Sequence, residues 1–163
     1  ECNTRNKCKA YEGVILMDWY IKKFEQLSLD ELYDILKMRS EIFVVEQECV
    51  YLDVDGKDKD VFHLFLKENN KILAYCRILP RGIAYEEASI GRVIVNRNFR
   101  KEKLGETLMT KAISYLKDVL KEKEIKIQAQ AYLRSFYKKF GFQEISEEYL
   151  EDGIPHIDMK MKL

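Results

Sequence analysis

The fold of this chain is decided by the stretch from Ile90 to Leu108, which reads IGRVIVNRNFRKEKLGETL. This stretch predicts a strand, a short basic loop and a helix that begins near Leu104. The amino end of a helix presents unpaired N–H groups and the positive end of a dipole, which together suit a phosphate. Cations normally disfavour that end of a helix, yet four of them crowd it: Arg97, Arg100, Lys101 and Lys103. Either an anion binds among them or the segment is a solvated basic loop.

Helices and strands on both sides of this stretch predict a single α+β domain. Apolar residues at helical spacing predict one helix over 29–43, begun by a capping box at residues 28–31, and a second helix of about 17 residues from Leu104. Alternating or apolar runs predict strands at 19–24, 61–66, 72–79, 88–95, 125–131, 142–146 and 157–163, with a short helix at 133–140. The predicted order is βα–βββ–αβ–αββ, without a linker, repeat or low-complexity segment.

The composition excludes several classes of protein. With 163 residues, of which 47% are hydrophobic, the chain can bury the core of one domain. Its 28 Lys and Arg balance 28 Asp and Glu, which argues against a protein whose whole surface binds nucleic acid. No apolar run approaches the length of a transmembrane helix. We therefore expect a cytoplasmic protein, monomeric or homodimeric, with no nucleic-acid partner and no membrane partner.

The cysteines and the acidic loop do not predict a metal site. Cys2, Cys8, Cys49 and Cys76 lack the C-x-x-C spacing of zinc and redox sites, and at this size a disulfide scaffold is not expected. Residues 53–58, DVDGKD, resemble part of a calcium loop, but glycine and lysine occupy the wrong positions. The loop is instead interpreted as a turn whose carboxylates could attract an amine.

Residues 1–16 differ in character from the rest of the chain. They are polar, then briefly apolar at 13–16, and they precede Met17. The apolar stretch is too short for a signal peptide. We expect residues 1–16 to be a non-native extension, and residues 17–163 to form the single domain.

A second motif follows the basic loop by about thirty residues and allows a family to be named. From Ala129 to Phe142 the chain reads AQAYLRSFYKKFGF. Together with the basic loop, this motif resembles the GNAT superfamily of acetyl-CoA-dependent N-acetyltransferases, and more closely its ElaA-like branch. The residues that carry the closer match span nearly all of 17–163: Glu31-Leu32-Tyr33, Arg39, Phe43-Val44-Val45-Glu46-Gln47, Asp53-Val54-Asp55-Gly56, His63-Leu64, Ala74-Tyr75-Cys76-Arg77, Ile90-Gly91-Arg92-Val93 and Glu151-Asp152-Gly153-Ile154-Pro155-His156.

The resemblance implies a fold and a cofactor site. It implies a mixed, twisted sheet of six to seven strands with about four helices, open like a V between strands 4 and 5, where acetyl-CoA lies. The fourth strand would pair with the pantetheine, the N–H groups after it would hold the pyrophosphate, and Gln130 would contact pantetheine. The implied cofactor-binding residues are Val93, Ile94, Val95, Arg100, Lys101, Glu102, Lys103, Leu104, Gly105, Glu106, Gln130 and Tyr137.

The basic loop departs from the pattern of the family. GNAT loops usually read Arg-Gly-x-Gly-x-Gly, whereas this chain has lysine at both Lys101 and Lys103 and keeps only Gly105. Where a position requires positive φ, a lysine is strained by about 1 kcal/mol or more. Lys103 could offset this by pairing with phosphate. The departure bears on cofactor affinity more than on the fold.

Transfer of an acyl group to an amine requires a base, a polarised carbonyl and a proton for the departing thiolate. The resemblance assigns the proton donor to Tyr137, and a backbone N–H near Val93 could polarise the carbonyl. Glu46, His63 and His156 are the candidates for the base, with Glu151 and Asp152 also weighed. Arg39, Phe43, Glu46 and Arg92 are the predicted substrate-binding residues, although Arg39 and Arg92 could equally hold a structural carboxylate.

We therefore expect an N-acetyltransferase that acts on the primary amine of a small molecule or peptide, by direct transfer in a ternary complex. The alternative is an acyl-CoA-binding or regulatory module with little turnover. Locally the neutral chain is polarised, because residues 92–103 carry +4, residues 46–60 carry −4 and residues 144–152 add five anions. We predict that these segments face one cleft.

Overall fold

The computed structural model describes residues 17–163, apart from the side chains of Lys101 and Glu102. The extension expected at residues 1–16, with Cys2 and Cys8, lies outside the described residues. The elements follow the predicted order with one added strand: β1 (Met17–Lys23), α1 (Leu29–Arg39), β2 (Phe62–Glu68), β3 (Lys71–Leu79), β4 (Ser89–Val95), α2 (Leu104–Ser114), β5 (Glu124–Gln130), α3 (Arg134–Lys138), β6 (Gln143–Glu144), β7 (Tyr149–Glu151) and β8 (Ile154–Lys162).

Strands β1 to β4 form an antiparallel sheet in sequence order. The predicted hairpin between β2 and β3 turns at Asn69 and Asn70, which both have positive φ, a conformation that asparagine tolerates better than most residues. The inner residues of β2 and β3, such as Leu64 and Cys76, face each other and are fully buried. This hairpin is therefore the centre of the first sheet.

The second sheet has the order β5-β8-β6, and β7 pairs with β8. The sequence predicted β5, β6 and β8 but missed β7. This strand has three residues, and the alternation of so short a segment has no diagnostic period. Its turn to β8 contains Asp152 and Gly153, both with positive φ. Residues 17–163 contain three α-helices and several short 3₁₀ and π turns, where about four helices were expected.

The two sheets meet only at one end of β4 and β5. Ala88 and Ile125 form a single parallel bridge, in which the Lys126 N–H donates to the Ala88 carbonyl at 2.9 Å. Beyond this bridge the described residues of β4 and β5 make no further ladder pairs. The strands consequently separate towards Val95 and Gln130, which confirms the predicted V-shaped opening between strands 4 and 5.

Helix α1 begins as the sequence predicts. The Ser28 hydroxyl accepts from the Glu31 N–H at 3.1 Å, and the Glu31 carboxylate accepts from the Ser28 N–H at 3.0 Å, which is a capping box. The α-helix ends at Arg39, earlier than the expected residue 43, and the chain continues as a wider π turn over Ser40–Glu46. Isolated π turns are common at functional sites, and this one places Phe43 and Glu46 on the wall of the opening between the sheets.

Candidate active site

The opening between β4 and β5 holds a cleft of about 860 Å³. One wall is β4 with the beginning of α2, and the other is β5 with α3 and the β7–β8 turn. Residues 42–57 close it from the side of α1. All three segments of high local charge contribute to the lining, which places them in one cleft: Glu46 and Asp55, then Arg92, Arg100 and Lys103, and finally Glu151 and Asp152.

The amino end of α2 borders this cleft. No side chain caps the helix, so the first N–H groups, those of Leu104 and Gly105, have no partner from within it. Arg100, Lys103, Gly105 and Glu106 line the cleft beside them, whereas the Leu104 side chain packs against the core. The backbone of Lys101 and Glu102 lies in a 3₁₀ turn, Arg97–Glu102, that leads to the helix. Free N–H groups beside two cations fit a pyrophosphate.

Lys103 has a positive φ, the case in which a lysine in this loop is strained. Its φ of 56° and ψ of 18° are left-handed, a region in which a side chain with a Cβ costs about 1–2 kcal/mol. Lys103 thus carries the strain that a glycine would not have at this position.

We expect Lys103→Gly to be more stable than Lys103→Ala by about 1 kcal/mol, because both remove the ammonium group and only glycine relieves the left-handed strain. Denaturant unfolding of the two variants measures the difference. Equal stabilities would show that the turn is not strained at this residue. A comparison of their acetyl-CoA affinities would separate the contribution of the backbone from that of the lysine charge.

Strand β4 is bulged where it borders the cleft. Tyr75 lies opposite Ile94, and Arg77 opposite Gly91, so that two residues of β4, Arg92 and Val93, face the single residue between them. Arg92 has a φ of 53°. Such a bulge disrupts the ladder locally and redirects backbone groups. It therefore lies at the segment whose N–H groups were expected to contact the acyl donor, Val93, Ile94 and Val95, all of which line the cleft.

Glu46 reaches across the opening to the basic loop. Its carboxylate is 2.7 Å from Nη1 of Arg100, and both side chains are partly exposed. Arg100 also donates from Nε to the Val95 carbonyl at 3.3 Å. The hydrogen bond from Arg100 holds the pKa of Glu46 below its usual range. Glu46 therefore remains ionised in this state, and a carboxylate so stabilised is a weak proton acceptor.

Tyr137 lies on α3 at the inner end of the cleft. Its ring packs edge-on against Phe136 and Phe142, with centroids 5.1 and 6.0 Å away, and only 7% of the residue is exposed. Burial raises the pKa of its hydroxyl, so the group stays protonated at neutral pH. The protonated hydroxyl is therefore available as a donor to a thiolate that forms nearby.

His156 lines the cleft, and among the described residues only its Nδ1 has a hydrogen-bond partner. Its Nδ1 is 2.8 Å from the Ile154 carbonyl, and its ring lies parallel to that of Tyr149. A carbonyl can only accept, so Nδ1 carries the hydrogen and the neutral ring keeps its lone pair on Nε2. This is the tautomer that a proton acceptor requires.

His63 does not lie at the cleft, so the structure does not support it as the base. Only 1% of it is exposed. Its Nε2 is 2.8 Å from the Asp58 carbonyl and its Nδ1 is 2.8 Å from the Tyr75 hydroxyl, so both nitrogens are engaged. Burial lowers its pKa. His63 is a buried histidine with both hydrogen-bonding positions satisfied.

Arg39 is also buried away from the cleft, contrary to its expected role in binding substrate. Its guanidinium is fully buried and uses its whole fork, with Nε 2.9 Å from Asp53, Nη1 2.6 Å from Asp58 and Nη2 2.9 Å from the Asp53 carbonyl. These contacts fit the alternative in which Arg39 holds structural carboxylates.

Arg39 belongs to a neutral group of six side chains, which we call the Arg–Asp cluster: Arg39, Arg77, Arg92, Asp53, Asp55 and Asp58. Although burial opposes ionisation of Asp55, the Arg77 guanidinium, bonded at 2.7 and 2.9 Å, holds the pKa of this carboxyl well below its usual range. The three aspartates of the acidic loop are thereby neutralised, which corrects the expectation that they attract an amine.

Arg92 and Phe43, the other two expected substrate residues, do line the cleft. The Arg92 guanidinium lies 5.7 Å from the centre of the Phe43 ring and 5.5 Å from that of Tyr51. Its Nε is already bonded to Asp53 at 2.7 Å. Arg92 therefore anchors the acidic loop against β4, and Phe43 contributes an apolar surface to the cleft.

Two contacts of residues 47–49 were not foreseen from the sequence. Gln130, expected at pantetheine, donates from Nε2 to the Gln47 side-chain oxygen at 3.1 Å. The Cys49 thiol donates to the Asp152 carbonyl at 3.5 Å, over a separation of 103 residues. Local spacing does not indicate that Gln47 contacts Gln130 or that Cys49 contacts Asp152. Only an alignment of relatives, in which the two partners of a contact change together, could have indicated these contacts.

Within residues 17–163, no three His, Cys, Asp or Glu side chains come together in the way a metal site would require. None of the helices described there is both long and apolar enough to cross a membrane.

Comparison with known proteins gives consistent matches over most of the chain. The Acetyltransferase (GNAT) domain family matches residues 31–163. Protein ElaA of Escherichia coli is 41% identical over 146 residues, which are 88% of this chain and 95% of ElaA. The crystal structure of E. coli ElaA aligns with a TM-score of 0.82, over 88% of this chain and 98% of that one. An acyl-CoA N-acyltransferase from Pseudomonas aeruginosa aligns with a TM-score of 0.83 at 39% identity, over 89% of this chain and 99% of that one.

Proposed function

The chain belongs to the GNAT acetyltransferase family, and we propose that it transfers an acetyl group to the primary amine of a small molecule or peptide. Membership makes it an acyltransferase that uses acetyl-CoA. One observation carries the finer proposal: Tyr137 and His156 line the same cleft as the uncapped amino end of α2. A proton donor, a proton acceptor and an anion site thus share one opening.

The residues of the cleft suit acetyl-CoA, which supplies the acyl group as a thioester. Arg100, Lys103 and the first N–H groups of α2 would hold its pyrophosphate. The bulged segment Val93–Val95 would pair with the pantetheine arm, and Gln130 would bind an amide of that arm. The left-handed backbone of Lys103 is the conformation that glycine readily adopts, which supports this assignment although lysine stands at that position.

The chain's own groups can serve each proton transfer. His156 Nε2 accepts the proton that the attacking amine must lose, since Nδ1 carries the hydrogen. A backbone N–H of β4 near Val93 stabilises the negative charge that develops on the carbonyl oxygen. As the C–N bond forms and the C–S bond breaks, Tyr137 donates its hydroxyl proton to the departing sulfur. Direct transfer needs both reactants bound together.

The acceptor amine would enter between Phe43 and the β7–β8 turn. Phe43 offers an apolar surface, and Glu151 and Asp152 of the turn add negative charge to the lining on that side. Glu46 is a poorer candidate for the base than His156, because its carboxylate is paired with Arg100. We assign His156 to removal of the amine's proton, and we assign Glu46 to attraction of the amine once Arg100 binds the pyrophosphate instead.

Calorimetry with acetyl-CoA, followed by detection of free CoA thiol with a panel of small amines and short peptides, tests the proposal. We expect binding, and thiol release that depends on the amine added. Mass spectrometry should find the acetyl group on the amine nitrogen. Binding with hydrolysis alone, or acetylation of an oxygen or sulfur acceptor in preference to every amine, would contradict it.

We expect His156→Ala to lower kcat at neutral pH by about 10²-fold or more, the usual contribution of general base catalysis. The loss should shrink at high pH, where the amine is already neutral, and added imidazole should restore part of the rate. A pH–rate profile measures both effects. Glu151→Gln, which changes another cleft residue weighed as the base, should keep the wild-type profile; the opposite pattern would move the role to Glu151.

A further inference from the structure

Residues 46–49, which we call the strap, join the α1 side of the cleft to three other parts of the protein. Glu46 pairs with Arg100 of the basic loop at 2.7 Å. Gln47 accepts from Gln130 at the end of β5 at 3.1 Å. Cys49 donates to the Asp152 carbonyl in the β7–β8 turn at 3.5 Å. The strap therefore crosses the mouth of the V where the two sheets are furthest from their bridge.

Two of these partners are groups that the proposed function gives to acetyl-CoA. Arg100 would hold the pyrophosphate, and the Glu46 carboxylate already presents an anion to its guanidinium. Gln130 would bind a pantetheine amide, and the Gln47 carboxamide already presents an amide oxygen to its NH₂ group. The Glu46 carboxylate thus resembles the phosphate that would replace it at Arg100. The Gln47 carboxamide resembles the pantetheine amide that would replace it at Gln130.

We propose that the strap occupies part of the acyl-CoA site as an internal competitor, and that acyl-CoA binding releases Glu46 and Gln47 to contact the amine acceptor. This inference rests on the proposed acyl-CoA site. A phosphate oxygen binds the Arg100 guanidinium in place of the Glu46 carboxylate, which is thereby released. A pantetheine carbonyl takes the Gln130 amide, which frees Gln47.

The exposure of the residues supports this exchange. The side chains of Glu46 and Arg100 are 33% and 42% exposed, so the pair can open without leaving a buried charge unpaired. Cys49 is 7% exposed, and its partner, the Asp152 carbonyl, has no assigned role in binding the cofactor. The strap is consequently held at Cys49 and can change contacts at Glu46 and Gln47.

Fragments of CoA test the two contacts separately. An exposed ion pair of this kind contributes little, so Glu46→Gln should tighten the binding of ADP and of CoA by about two- to fivefold and leave pantetheine binding unchanged. Gln47→Ala should tighten the binding of pantetheine and CoA and leave ADP binding unchanged. Both variants should raise KM for the amine, because each removes an acceptor contact. Calorimetry and initial rates give these values.

Two variants control for charge and for the route of the effect. Glu41→Gln makes the same charge change in the exposed Lys37–Glu41 pair, which lies outside the cleft, and should bind every probe like the wild type. Glu46→Gln combined with Arg100→Ala should show no gain over Arg100→Ala alone. Thermal unfolding of each variant verifies that it is folded.

The outcomes separate this inference from the proposed function. If wild-type protein binds neither CoA nor its fragments, the acyl-CoA site itself is wrong. If wild-type protein binds CoA but Glu46→Gln and Gln47→Ala bind the probes with unchanged or weaker affinity, the site stands and the internal competition is overturned. An unchanged KM for the amine in both variants would overturn the acceptor contacts.

Discussion

Tyr137→Phe is expected to lower kcat by about 10²-fold or more while acetyl-CoA affinity and folding stay close to wild type. General acid catalysis usually contributes at least this much. The hydroxyl is the only group lost, and the ring keeps its packing against Phe136 and Phe142. Burial raises the pKa of the hydroxyl, so it carries its proton when the thiolate departs. Steady-state kinetics with detection of free CoA measures the effect.

Tyr115→Phe is the matched control for this variant. It also removes one hydroxyl from a partly buried tyrosine that packs edge-on against a phenylalanine, Phe62, at 5.2 Å, but Tyr115 lies outside the cleft. Its kcat should equal that of the wild type. If Tyr137→Phe retains the wild-type kcat as well, Tyr137 is only part of the aromatic packing and the proton for sulfur comes from elsewhere.

Arg39→Ala is expected to lower the free energy of unfolding by about 3–5 kcal/mol, the typical result of removing one partner from a buried ionic group. The variant leaves Asp53 and Asp58 buried with fewer cations. One oxygen of Asp58 and Nε of Arg77 already lack hydrogen-bond partners among the described residues, so the cluster is incompletely paired before the substitution. Denaturant unfolding followed by circular dichroism measures the loss. Arg39→Lys should recover little of it, since an ammonium cannot reproduce the three contacts of the fork.

Lys37→Ala is the control on the same helix. Lys37 pairs with Glu41 at 3.9 Å with 61% of each side chain exposed, and pairs of this kind contribute between zero and about 1 kcal/mol. We expect the free energy of unfolding of this variant to match that of the wild type within that range. A loss of less than 1 kcal/mol for Arg39→Ala would mean that Arg77 and Arg92 suffice to hold the acidic loop.

Local patterns predicted most of the fold. The capping box at Ser28 and Glu31, the hairpin at Asn69 and Asn70 and the helix that begins at Leu104 depend on residues within a few positions of each other. Their geometry is therefore determined by spacing. The strand β7 was missed because it is too short to show an alternating pattern. The end of α1 at Arg39 was missed because the apolar spacing continues through the π turn that follows it.

The candidate site was predictable only in part. The basic loop, Tyr137, His156 and Gln130 were identified through motifs and line the cleft. His63 was not distinguishable from a catalytic histidine, since its partners, the Asp58 carbonyl and the Tyr75 hydroxyl, come from a loop and a neighbouring strand. Gln47 was passed over because a lone glutamine has no signature.

The sequence by itself determined the order of the elements, the V-shaped opening through its family resemblance, and the uneven distribution of charge along a neutral chain. Tertiary structure alone decided which charges remain available in the cleft. The Arg–Asp cluster joins α1, the acidic loop, β3 and β4, and it neutralises three aspartates that the sequence presents as free anions. Coulomb attraction acts through space between residues 14 to 39 positions apart. Spacing along the chain does not reveal which of these residues come close together. The packing of the sheet against α1 brings them within contact distance.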